Sequence, residues 1–531
     1  MSSDQDAEAS VVGEAPVSNS PRDDYARLSI GVDSLGTTFN PHINEGDTHV
    51  TRIIAALTLP SAFVDGNLNT DLLLSAAIVP TEDSQVRDVS GGQTVRYVIN
   101  PSAQWSDSSP ITGSDFSFLW QQMTQSPNVI NAAGYFLIDK ISTSTDGRTV
   151  DVHFTQAYTE WNTLFDNLLP SHALRSTSAF SEMLRSSIPA SAGRYHLTKV
   201  SPLGVATLIR NDRYWGEFPA LAEEVTFREV RMPGQMGEML ARQNLDAINT
   251  NPLAKAETKI ASASNSIQSE VISTDRTLNI IFNQNSTLLT STAQRARVAN
   301  LIDFNNLYSN VIDPVYQTDL PTRPSIPAAE SYVEGSRPIR VAANPDDALA
   351  LAVAESMVSS FRISGVNAEL VGETDEELAT ADLPNGSVDI LVDWQRVPTN
   401  VSDLASRYSC NSAFDTGDSS SRSQDSSSNT TVFRRDNLSG FCNVTIQADI
   451  NATLSGAMTY EQLAQEIESS IESTVVSYPV VKEMRIQAIG SSLVAPESEA
   501  GHRLSHWQTR PGIGIFGSLP SWTSISRENE E

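Results

Sequence analysis

Ile339-Arg340-Val341-Ala342-Ala343 leads through Asn344-Pro345-Asp346-Asp347 into an apolar stripe of Leu349, Val353, Met357 and Phe361, and Gly365 then precedes Ala368-Glu369-Leu370-Val371. Short apolar runs bounded by turn residues read as strands, and apolar residues four apart read as one face of a helix. Asn344 is expected to cap that helix, with Pro345 in its first turn and Asp346 and Asp347 near its positive end. Strand, helix and strand of this length predict a right-handed crossover between parallel strands. Val388-Asp389-Ile390-Leu391-Val392-Asp393-Trp394 supplies a further buried strand. The fold class is therefore α/β.

Outward from this unit the patterning continues. Towards the amino terminus, Arg27 to Val32 reads as a strand, Asn40-Pro41-His42-Ile43-Asn44 as a turn, and Thr48 to Leu57 as a helix. Val95 to Ile99 alternates like a half-buried strand. Thr112 and Asp115 have the spacing of a capping box ahead of Phe116, Leu119, Trp120 and Met123, which fall on one helical face. Asp146-Gly147 predicts a hairpin into Val150 to Phe154. Trp161, Leu164, Phe165 and Leu168 read as another helical stripe ending at Pro170. Towards the carboxyl terminus, Thr459 and Gln462 form a capping box before Leu463, Ile467, Ile471 and Val475. Asp415 to Thr431 is Ser/Asp-rich and expected to be a mobile loop.

The 531 residues suffice for two or three lobes with full cores, and 39% apolar with 19% charged residues suits a folded protein. A net charge of −29 opposes nucleic acid and opposes electrostatic docking on anionic lipid. No apolar run is long enough to span a bilayer. Cys410 and Cys442, either side of the Ser-rich stretch, suit one disulfide in an oxidising compartment, worth about 3 kcal/mol or somewhat more; a chance pair of free thiols is the alternative. Seven histidines show no metal-ligand spacing. His502 and His506 lie four apart but in a stretch rich in Gly and Pro. Gly512, Gly514 and Gly517 match G-x-G-x-x-G without the strand–helix–strand unit that nucleotide binding needs. No nucleophile elbow or Walker sequence occurs. Neither a metal nor any other cofactor is expected, and an enzyme is not.

Three pieces in order carry a family resemblance: Ile209-Arg210-Asn211-Asp212-Arg213-Tyr214-Trp215-Gly216, then Phe227-Arg228-Glu229-Val230, then Gln243-Asn244-Leu245-Asp246-Ala247. They resemble the extracytoplasmic solute-binding proteins of the oligopeptide/dipeptide type, family 5. Trp105-Ser106-Asp107, with Ser108 and Ser109 where the family has Gly-Thr, Ile188 to Tyr195, Asn279 to Asn283 with Arg295 to Asp303, and Tyr478-Pro479-Val480-Val481 extend the similarity over about residues 28–490. The resemblance implies a bilobal periplasmic-binding-protein-like fold of the large, peptide-receptor type, two lobes joined by a hinge. It implies residues 1–27 as a flexible acidic tether, 28–283 as lobe I, 284–480 as lobe II, and 481–531 as a return to lobe I and tail, with the first hinge near 282–286. It also implies an extracytoplasmic monomer on the outer face of the plasma membrane. Its anchor would be a lipid-bearing cysteine that is not among these residues.

In that family the strand matching residues 388–394 ends G-W-x-x-D-Y, and its aspartate pairs with the ligand's α-ammonium. Here Trp394 matches the tryptophan, Asp393 replaces the glycine and Val397 stands where the aspartate should be. Asp393 or Asp403 could substitute. A buried ammonium needs a charged partner, so its loss shifts expectation towards stacking and neutral hydrogen bonds, with Trp394, Asp393, Arg396, Trp105 and Tyr135 as candidate ligand residues. Phe39 to His42, Leu57 to Phe63, Phe118 to Met123 and Ser187 to Gly193 further resemble a branch of mycobacterial and corynebacterial lipoproteins. That branch is associated with synthesis of phosphatidylinositol mannosides and lipoarabinomannan. The expected function is thus a non-enzymatic binder of a small molecule, glycolipid or peptide between the lobes. It would serve an envelope membrane enzyme in glycolipid synthesis or, alternatively, the permease of an importer. A third expectation is an interaction platform with an occluded cleft.

Overall fold

The computed structural model describes residues 23–80, 92–126, 129–174, 179–252, 255–329, 337–410, 437–494, 510 and 512–524. Its strands of four residues or more are β1 (Asp23–Val32), β2 (Leu73–Ile78), β3 (Thr94–Ile99), β4 (Ile138–Thr143), β5 (Thr149–Phe154), β6 (Tyr195–Ser201), β7 (Val205–Arg210), β8 (Ala222–Glu229), β9 (Ala247–Thr250), β10 (Gln268–Phe282), β11 (Ile339–Ala343), β12 (Ala368–Gly372), β13 (Ile390–Arg396) and β14 (Ser477–Ile489). The longer helices are α1 (His49–Thr58), α2 (Gly113–Gln125), α3 (Pro233–Ala241), α4 (Thr292–Ala299), α5 (Ala348–Ile363), α6 (Val401–Tyr408), α7 (Val444–Leu454) and α8 (Tyr460–Thr474). None of the described helices is long and apolar enough to cross a membrane.

One mixed ten-stranded sheet runs through the molecule in the order β12-β11-β13-β10-β14-β9-β1-β8-β7-β6, and a four-stranded sheet, β2-β3-β5-β4, lies beside it. β11 pairs parallel with both β12 and β13, as the crossover pattern requires. The two long strands β10 and β14 are the spine. The far half of β10 pairs with β13, whereas the end of β14 pairs with β9. Their mutual register shifts between Ser273 and Thr277 and again between Leu278 and Asn279.

Local chemistry explains most of the elements. Thr112 with Asp115 and Thr459 with Gln462 form complete capping boxes at the starts of α2 and α8. Leu349, Val353, Met357 and Phe361 are all buried on α5. Two expectations need correction. The cap of α5 is Asp347, whose carboxylate accepts from the Leu349 and Ala350 amides, while Asn344 instead accepts from Asp346 in the preceding turn. Residues 161–168 are not a helix beyond the short turn Trp161–Thr163, because Phe165 and Asn167 are left-handed (φ 63° and 49°). The expected mobile loop at 415–431 and the His502/His506 pair lie outside the described residues.

The buried apolar side chains fall into two large groups. Buried side chains of β11, β13, α4 and α5 form one core with the far half of β10. Those of α6, α7 and α8, including Leu404, Ile450 and Leu463, instead join the core of the first lobe. The lobes are pressed together, and apolar faces meet across the seam. Cys410 and Cys442 are disulfide-bonded beside α6 and α7.

Candidate functional site

The turn after β1 sets one wall of the inter-lobe cleft. Asn40 accepts from the His42 amide, and the backbone of Gly46 packs so closely on the Asn40 carbonyl that a Cβ there would lie 1.7 Å from it. This crossing places Asn44 and Asp47 at the seam. Ile130 and Asn131 extend the same wall. Opposite them stand Trp394, Gln395 and Arg396 at the end of β13, Asp403 and Arg407 on α6, and Leu438. Between the walls lies a cavity of about 30 Å³, room for a water or two.

Charge is concentrated here. Arg396 donates from Nε and Nη2 to Asp47 Oδ1 at 2.8 and 2.6 Å, across the lobes. Arg276 of β10 lies 3.7 Å from the other Asp47 oxygen and rests over the Trp394 ring at 5.9 Å. Burial would raise the Asp47 carboxyl, but Arg396, Arg276 and Arg52 outweigh it and hold it well below the usual carboxylate range. Burial would lower Arg396, and the charge and hydrogen bond of Asp47 raise it instead. Paired this way, two ions that would be costly alone tolerate enclosure. A second contact is the start of α6. The Glu160 carboxylate accepts from the Val401 and Ser402 amides at 2.9 and 3.0 Å, where the helix end is positive. The Tyr158 hydroxyl bonds to Ser402, and the Ala133 amide donates to Ser406 Oγ at 3.0 Å.

The expected site residues divide. Trp394 lines the cavity although it is 8% exposed and belongs to the second core. Arg396 lines it as the partner of Asp47. Asp393 is one residue off that wall, its carboxylate accepting from the Trp394 amide at 2.9 Å. Trp105 and Tyr135 lie away from the cavity, in the first core. Trp105 is fully buried in the first core, its indole nitrogen 3.5 Å from the Asp115 carboxylate. The Tyr135 hydroxyl is consumed by the Phe165 amide at 2.8 Å. Aromatic rings look alike in sequence whether they face a ligand or a core. Of the two substitutes named for the absent aspartate, Asp403 does line the cavity, while also accepting from the Thr399 amide at 2.9 Å. Asp47, Arg276, Asn131, Gln395, Arg407 and Glu160 carry no local signal of this role; the partners of Asp47 and Glu160 lie 349 and 241 residues away in the chain.

The motif residues of 209–247 turn out to be staples of lobe I. Asn211 Nδ2 donates to the Gly193 carbonyl at 2.9 Å, the Trp215 indole to the Asp71 carbonyl at 2.6 Å, and the Tyr214 hydroxyl to the Asp71 carboxylate. Buried Asp246 accepts from the Ser29 amide at 2.8 Å and the Ser492 hydroxyl at 2.7 Å, tying together three distant segments.

Comparison with known proteins agrees with this geometry. The family model for bacterial extracellular solute-binding proteins, family 5 Middle, matches residues 83–415. The Mycobacterium tuberculosis protein named "Probable monoacyl phosphatidylinositol tetramannoside-binding protein LpqW" is 26% identical over 94% of this chain and 92% of its own length. The oligopeptide-binding protein OppA of Mycobacterium bovis is 27% identical, over 38% of this chain and 35% of its own. Among solved structures, the oligopeptide-binding protein AppA of Bacillus subtilis in complex with a nonapeptide superposes with a TM-score of 0.69 at 12% identity, covering 96% of this chain and all of that one.

Proposed function

We propose, from the premise that this chain belongs to the family 5 bacterial extracellular solute-binding proteins, that it is a non-enzymatic envelope receptor whose cleft takes the mannosylated headgroup of an inositol phospholipid intermediate. The observation that carries this reading is the end-to-end match to the LpqW relative, against a match to OppA over little more than a third of the chain. The cleft chemistry supports it. Val397 occupies the position expected for an ammonium-binding aspartate and is 42% exposed. The walls offer planar polar groups (Asn44, Asn131, Gln395, Arg407) beside one indole, Trp394. Flat amide and guanidinium groups match the paired hydroxyls of a sugar, and the indole can take its apolar face. Admission of a headgroup requires the lobes to part about β10 and β14.

Within this reading we assign residues 28–283 with the return and tail 481–531 to lobe I and 284–480 to lobe II. Attachment to the outer face of the membrane through a lipid anchor, action as a monomer, and service to an envelope membrane enzyme belong to the same proposal. Isothermal titration with detergent-dispersed phosphatidylinositol mannosides is expected to give saturable binding, with none for tri-, penta- or nonapeptides. Peptide binding without mannoside binding would overturn it. Such an outcome would favour the second reading, an importer receptor for peptides, for which the presence of Asp403 in the cavity speaks.

A further inference from the structure

Two arginines at the cleft keep donors that nothing in the protein uses. Arg407, on α6, lines the cavity. Among the described residues its guanidinium makes a single hydrogen bond, from Nη2 to the Arg396 carbonyl, and no ion pair. Arg276 adjoins the same cavity, reaching Asp47 and the Trp394 ring, both of which line it. It is 9% exposed. Its Nε lies 3.7 Å from Asp47 and its Nη1 3.9 Å from Glu483, too far for a hydrogen bond to either. The buried Nε has no hydrogen-bond partner in the protein. Arg276 faces Arg396 across the β10–β13 ladder, so both guanidinium groups are anchored around that one residue.

The carboxylates of this region are already engaged. Asp47 Oδ1 accepts twice from Arg396. Asp403 accepts from the Thr399 amide and hydroxyl at 2.9 and 3.1 Å, and Glu483 from the Thr274 hydroxyl at 2.7 Å. A guanidinium has five N–H donors and no acceptor, and an enclosed donor left unused is costly. What completes such donors is a group that brings acceptor oxygens and no donor of its own. A sugar hydroxyl brings a donor with every acceptor. Phosphate oxygens bring only acceptors, and two of them match the guanidinium fork. The net charge of −29 repels anions at long range, where salt screens it, so local donors decide what binds.

We propose that Arg407, with Arg276 beside Trp394, is the binding site for a phosphodiester, the group that joins inositol to glycerol in the headgroup. This rests on the reading of the cleft given above and adds the part of the headgroup that the two arginines hold. A peptide's terminal carboxylate is the other source of acceptor-only oxygens, and the choice of probes separates the two.

The test is calorimetry of wild type, Arg407→Gln, Arg407→Lys and Arg276→Lys at low and high salt. The probes are glycerophosphoinositol dimannoside (the water-soluble deacylated headgroup), α-mannobiose and trialanine. The wild type is expected to bind the deacylated headgroup more tightly than α-mannobiose, and less tightly at high salt. Arg407→Gln should weaken headgroup binding about tenfold, as loss of a charge-assisted hydrogen bond does. Arg407→Lys should weaken it less, because the charge remains. Arg276→Lys keeps the charge but removes the Nε donor, and should weaken it about threefold. Headgroup binding within about twofold of wild type in both Arg407→Gln and Arg276→Lys would overturn the phosphodiester site and leave the reading of the cleft standing. Equal affinity for α-mannobiose and the headgroup would do the same. Trialanine bound in place of the headgroup, or no probe bound, would overturn that reading and this proposal with it.

Discussion

Along β10 and β14 the two lobes are joined by backbone ladders, whereas across the cleft they meet mostly through side chains and one helix end. The spine carries its own largely enclosed ion pairs. Arg485 of β14 donates twice to Asp33, at 2.9 and 2.6 Å, and Arg52 of α1 twice to Asp275 of β10, at 2.6 and 2.5 Å. Those pairs lock strands that stay together whether the lobes are open or shut. The Asp47–Arg396 pair has similar geometry but links surfaces that must separate for a ligand to enter. Removing one partner in the spine strands a charge inside the sheet. Removing one at the cleft lets the lobes part and water reach the survivor. Equal bond lengths can therefore have unequal consequences, depending on whether the fold can open around them.

The largest effect that would sharpen this contrast is expected from Asp33→Ala. It leaves Arg485, with 8% of its side chain exposed, buried and unpaired, at a cost of about 3–5 kcal/mol in thermal or denaturant unfolding. A loss below about 1 kcal/mol would show that the spine hydrates as easily as the cleft, and the contrast would fail. Next comes pH. Burial lowers His42 from 6.5 to about 4, against its hydrogen bond to the Asn167 carbonyl and with help from Arg396. The unfolded chain therefore binds the extra proton between about pH 6.5 and 4 while the fold does not. Stability owed to neutral His42 is full above 6.5 and falls through that window by on the order of 3 kcal/mol. Comparing the unfolding temperature of wild type and His42→Gln from pH 7 to 4 should show a flatter profile in the variant.

At the cleft, Asp47→Ala is expected to cost less, about 1–3 kcal/mol, but to enlarge the radius of gyration in small-angle scattering. Unchanged dimensions with a loss as large as that of Asp33→Ala would break the distinction between the two seams. The smallest effect should come from Glu160→Gln. It weakens the acceptor for the Val401 and Ser402 amides and should cost about 1 kcal/mol, again with a shift towards the open form.

How much of this was readable in the chain depends on range. Capping boxes at Thr112 and Thr459, the α5 stripe and the Asp146-Gly147 hairpin were legible because their partners lie within a few residues. Residues 161–168 misled, since their apolar spacing suits a helix while hydrogen bonds to residues 60–62 and Tyr135 impose two left-handed residues. Trp394 and Arg396, on the strand whose pattern the sequence shows, and Asp403 line the cavity. Trp105 and Tyr135 were chosen for their aromaticity, which a core uses as readily as a ligand.

Taken alone, the order of strands, helices and turn residues determined an α/β chain, because hydrophobic period and capping act over distances the sequence states directly, while the motif series of 209–247 carried the likeness to solute-binding proteins. Which carboxylate meets which guanidinium across the cleft was decided by two lobes closing on each other. Those contacts depend on side chains hundreds of residues apart arriving on facing walls, and no local pattern encodes that arrival.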